Sequence, residues 1–180
     1  MIAIELKLVI ISALLLLALV SDLISYRIKN SITYSFMLVG LIANFAMEGS
    51  KGMIFSLQGI MLPVAGLIVL YMMRIIGAGD IKLLSAVGAV MGAGFALYAM
   101  VYSFICGGVI ASLLILIRRN GIERFKFLLS YMQSCLISME LLQYTDFNDK
   151  QNSGKFHFSI AVASGTAAAV IIGGFGTALL

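Results

Sequence analysis

The run IAIELKLVIISALLLLALV, residues 2–20, leads straight into Ser21 and Asp22. A membrane-spanning helix needs about 20 mostly apolar residues, and this run supplies them. No basic segment precedes it and no small-x-small cleavage site follows, so it reads as a retained helix over 2–21 and not as a signal peptide. Its apolar residues are continuous. An outer-membrane strand would alternate, so a helical bundle is the expected architecture.

The rest of the chain repeats the pattern. A polar segment from Ser21 to Asn30 separates the first run from a second over 31–47. Glu48-Gly49-Ser50-Lys51-Gly52 then reads as a short polar turn. A third run covers 53–73, carries the only proline, Pro63, and stops at Arg74; the proline is expected to kink it. Ile81 to Ile117 is too long for one crossing, and Met91-Gly92-Ala93-Gly94 is the natural break, since glycines weaken a helix interior. A short fourth helix over about 80–92 and a fifth over about 95–117 result. Residues 158–179 form a last, Gly- and Ala-rich crossing.

Between them lies a cytoplasmic segment of about 118–157. Within 122–144, Ile122, Phe125, Leu129, Met132, Leu136 and Met139 share one helical face, which predicts a helix lying on the membrane surface. The expectation is one all-α domain over 1–180: a polytopic membrane bundle of about six transmembrane helices plus a surface helix.

Composition agrees. The chain is 62% hydrophobic, where soluble domains sit at about half. The net charge of +4 is read as basic residues holding cytoplasmic loops, so no nucleic-acid partner is expected. With the N-terminus outside, Arg27, Lys29, Arg74, Lys82, Arg118, Arg119, Arg124, Lys126, Lys150 and Lys155 lie inside, and only Lys7 and Lys51 outside. Cys106 and Cys135 form no CxxC pair, His157 is the lone histidine, and no GxSxG is present. A cysteine zinc site and a serine triad are thereby excluded, and neither metal nor cofactor is expected.

Two carboxylates stand out in this hydrocarbon. Asp22 closes the first run, and Asp80 closes Gly77-Ala78-Gly79-Asp80 at the start of the fourth helix. A charge at the centre of a membrane helix costs about 2.5–3.5 kcal/mol or more, so intramembrane carboxylates are functional by default. The orientation puts both at the cytoplasmic face. Two aspartates that can approach each other share a proton, and the pair can activate water for peptide hydrolysis. Capping is the bland alternative for each aspartate alone. Asn44 and Gln58 read as interhelical hydrogen-bonding residues, and Gly88 with Gly92 as a GxxxG packing pair.

Asp22 with Arg27-Ile28-Lys29-Asn30 behind it, and GxGD at Asp80 followed by Ile81-Lys82-Leu83-Leu84, resemble the aspartic prepilin peptidases. These membrane enzymes process type IV pilin precursors. The resemblance implies catalysis by Asp22 and Asp80, with Gly77, Gly79, Lys82, Arg27 and Asn30 in support. Gly77 and Gly79 are expected to permit close approach of the substrate backbone and a turn that no side chain could fill. Lys82 is expected either to tune the carboxylate or to face headgroups. The implied substrates are type IV prepilin or pseudopilin precursors, cut after a glycine where a basic leader meets an apolar helix, at a bacterial or archaeal cytoplasmic membrane. Two features depart from the family pattern. The paired CxxC segment of bifunctional members is missing, so methyltransferase activity is not expected. Gly154 to Ser159 carries no proline. The rival from another class is a small proton-coupled transporter with Asp80 as relay, or a scaffold. A transporter typically shows repeated halves around a midplane site, and no repeat is visible here.

Overall fold

A computed structural model describes residues 2–25, 27–73, 75–117 and 158–172. These residues form six helices: α1 (Ile2–Ser25), α2 (Asn30–Glu48), α3 (Ser50–Met72), α4 (Ala78–Met91), α5 (Ala93–Ile117) and α6 (Phe158–Ile172). The expected surface helix over 122–144, its flanking segment and His157 lie outside the described residues. Within α1, α2, α3 and α5 are four stretches long and apolar enough to cross a membrane. Val9, Leu16, Ile24, Met61 and Met72 are among the many large apolar side chains left exposed on these helices. A bilayer accounts for such an outer surface, whereas water would not.

The fourth helix organises the bundle. Its 14 residues reach about 21 Å, short of a hydrocarbon core of about 30 Å. α4 packs against all five other described helices. Ile81 and every residue from Leu83 to Met91 are buried, as an all-round apolar helix requires. Glycines let the neighbours come close. Gly59 of α3 and Gly88 lie backbone to backbone, and a methyl group on either would overlap the other's carbonyl. Gly40 of α2 rests similarly on Ala89 and Val90. The packing role read for Gly88 is therefore observed.

Because α4 ends inside the protein, its last carbonyls need partners that water cannot provide. Asn44 of α2 supplies them. Its buried Nδ2 donates to the Ala89 carbonyl (3.0 Å), the Val90 carbonyl (3.2 Å) and Ser56 Oγ (2.9 Å). Gln58, read from the sequence as a second such residue, is instead exposed on α3 beside Met61, Leu97 and Met100.

Three boundaries differ from the sequence expectation. α1 continues through Asp22 to Ser25, because Leu23 and Ile24 stay apolar and Ser25 Oγ donates back to the Ser21 carbonyl (2.9 Å). The five-residue polar turn expected from Glu48 to Gly52 shrinks to Gly49, whose φ of 63° ends α2 and lets α3 start at Ser50. Gly92 alone separates α4 from α5, with φ of 88° and the Phe55 ring packed where a side chain would stand. α3 remains helical through the buried Pro63. α6 lies mainly along α5, where Gly165 abuts the Ser103 backbone.

Candidate active site

One end of the bundle gathers the last turn of α1, the first residues of α2 and α4, and the start of α6 around a cleft of about 690 Å3. Asp22, Arg27, Asn30, the glycines Gly77 and Gly79, and Asp80 with Lys82 all line it. Seven residues drawn from two separated stretches of sequence, 22–30 and 77–82, thus share one surface.

Asp22 is set one turn inside α1 and is only 8% exposed. Its Oδ2 accepts a hydrogen bond from Ser159 Oγ of α6. The adjacent Ser21 folds the chain that follows. Its hydroxyl donates to the Arg27 carbonyl (3.1 Å) and accepts from the Lys29 N–H (3.3 Å). Arg27, Ile28 and Lys29 are thereby held along the rim of the cleft.

Asp80 sits in the first turn of α4. Gly77 is the N-cap, and the Asp80 N–H donates to its carbonyl (3.1 Å) while the Gly77 backbone also hydrogen-bonds the carboxylate. The acidic residue three positions after the cap supplies one half of a capping box, and glycine at the cap has no side chain to supply the other. Capping and exposure to the cleft are compatible, since the side chain bonds the Gly77 backbone and lines the cleft from one position.

The backbone turn expected to need these glycines is not what they supply. Gly77 has φ of −76°, which any residue adopts, and Gly79 lies within the helix. No turn here needs glycine for its backbone. What Gly77 gives is room: a Cβ would sit 3.2 Å from Asp80 Oδ2. A Cβ on Gly79 would meet only Ile28, at an ordinary 3.6 Å.

The sequence leaves Lys82 either tuning the carboxylate or facing headgroups, and the structure shows a further contact. Its Nζ donates to Asn30 Oδ1 (3.0 Å) and lies 5.1 Å from the centre of the Tyr34 ring. α2 has no side-chain cap at Lys29, so Asn30 is left to accept this bond and ties α2 to α4 at the level of the cleft. Asp22 and Asp80 lie within electrostatic reach of each other. No group of three or more His, Cys, Asp or Glu side chains able to hold a metal occurs among the described residues.

Sequence reasoning missed Ser21, Ser159 and Phe158. Ser21 carried a signal, adjoining Asp22. Ser159 carried little, since its importance depends on α6 returning to α1 across 137 positions.

The profile of the type IV leader peptidase family matches residues 9–112. The match takes in α1 from Val9 through most of α5, hence both aspartates and every support residue, and it stops before α6. No protein of curated function and no solved structure matches the chain. A family match over more than half the sequence agrees with the helical membrane architecture, and the chain belongs to the type IV leader peptidase family, as a membrane peptidase.

Proposed function

We propose that this protein is an intramembrane aspartic endopeptidase that removes the basic leader from type IV prepilin or pseudopilin precursors, with Asp22 and Asp80 as its catalytic pair. The observation that carries the reading is that these two carboxylates, 58 positions apart, line one cleft at one end of an otherwise apolar bundle. Peptide hydrolysis needs a base to take a proton from water and an acid to protonate the leaving nitrogen. Two carboxylates holding one proton between them perform both steps, and the proton belongs to the pair.

The cleft's position suits this chemistry. It opens at the bundle end, so water and a polar leader reach it without a channel through the bilayer. The apolar helix of a precursor can remain in lipid while its junction with the leader enters the cleft. With the N-terminus outside, this end faces the cytoplasm, where a basic leader is found. The space beside Gly79 admits an extended substrate backbone, and Lys82, Asn30, Arg27 and Lys29 provide polar contacts along the rim.

A co-expression cleavage assay tests the proposal. Prepilin-like precursors are combined with the wild type, Asp22→Asn or Asp80→Asn at matched membrane levels. Shortening of a precursor by the wild type alone is expected. Equal cleavage by all three proteins would remove the two aspartates from the mechanism and overturn the proposal.

A further inference from the structure

We infer that Ser159 is a positioning residue of the catalytic centre, holding the Asp22 carboxylate in its working orientation from α6. The inference rests on the two-aspartate reading above. Its geometry is independent of the family match, which ends at residue 112 and does not reach α6.

Hydroxyls on the helices of this protein usually turn back on their own backbone. Ser25, Ser103, Ser112, Ser164 and Thr166 each donate to the carbonyl four residues earlier. Ser159, the second residue of α6, has no carbonyl of its own helix four positions earlier and gives its hydroxyl to Asp22 Oδ2, on another helix. It is 1% exposed, so a lipid or solvent role is closed to it. The helix that carries it is fixed by close packing. Gly165 abuts the Ser103 backbone, and Phe158 packs against Gly107 and, with ring centres 6.0 Å apart, against Phe104. The neighbouring Phe158 lines the same cleft. The hydroxyl is therefore presented to Asp22 by a rigid element. Such a bond removes rotamer freedom from a carboxylate whose orientation toward water sets the rate.

The test uses the full-length enzyme in membranes and a prepilin-like precursor, a basic leader ending in glycine joined to an apolar helix. Ser159→Ala is expected to lower kcat about tenfold, the fold-change that loss of one hydrogen bond to a charged group supports, with KM unchanged. Ser159→Thr, which keeps the hydroxyl, is expected to stay closer to the wild type. If Ser159→Ala does not accumulate, Ser159→Cys, similar in size and a weak donor, is read in its place. Wild-type kcat in the variant lacking the hydroxyl, a loss confined to KM, or no advantage of Thr over Ala at equal protein levels would each overturn the proposal. Asp22→Asn and Asp80→Asn run alongside. If both abolish cleavage while Ser159→Ala is silent, only the positioning role falls; if both retain it, the two-aspartate reading falls and takes this inference with it.

Discussion

The two ends of α4 use glycine in opposite ways. At its C-terminal end Gly88 is pressed against Gly59, and Gly40 of α2 against Ala89 and Val90, with no space for even a methyl group. At its N-terminal end Gly77 and Gly79 border an open cleft, and the nearest obstacles to a side chain are the Asp80 carboxylate and Ile28. One short helix thus has a closed end, where missing side chains let backbones touch, and an open end, where they leave room for something else. Polar groups follow the same division. Asn44 is spent on the carbonyls of α4, whereas Asp22 and Asp80 are turned toward the cleft.

The largest effect is expected at the open end. Asp22→Asn and Asp80→Asn keep side-chain shape and remove the ionisable group. Each should lower the cleavage rate by about 100-fold to 10,000-fold, the range that general acid–base catalysis supplies, with little change in thermal stability in detergent. A comparable loss of stability would mean that the cleft is held together by its carboxylates, and the contrast between the two ends would disappear.

At the closed end the cost should fall on folding. Gly88→Ala inserts a methyl group into the Gly59 carbonyl and should destabilise by at least about 1–3 kcal/mol, read as a lower melting temperature and reduced membrane accumulation. Asn44→Ala strands the Ala89 and Val90 carbonyls, for which about 1–3 kcal/mol per buried group is expected. Normal stability in both variants would show that α4 is not anchored as the packing indicates.

These contrasts also show where sequence reading runs out. The crossings were legible because twenty-residue apolar runs have few alternatives, and the aspartates because charges are rare in such runs. Gly92 was legible as a break between two helices. The space that Gly77 leaves for the Asp80 carboxylate was not, since GxGD does not distinguish a turn that no side chain could fill from a carboxylate that needs room. The length of α1 is not legible, because Asp22 reads as an end although Leu23, Ile24 and the back-bonded Ser25 carry the helix one turn further. Asn44 and Gln58 were indistinguishable as polar residues on apolar helices. Only the packing around α4 separates the buried one from the exposed one.

The smallest effect, and the sharpest comparison, is Gly79→Ala set beside Gly88→Ala. The substitution is the same, on the same helix, nine positions apart. At Gly79 the added methyl group meets Ile28 at 3.6 Å, ordinary van der Waals contact, and alanine is the better helix former by up to about 1 kcal/mol. Stability should therefore hold or rise slightly. If substrate backbone passes over this position, KM should increase while the melting temperature does not fall. A variant with unchanged KM would move the substrate path away from Gly79, toward the rim formed by Arg27 and Lys29, without disturbing the roles of the two aspartates.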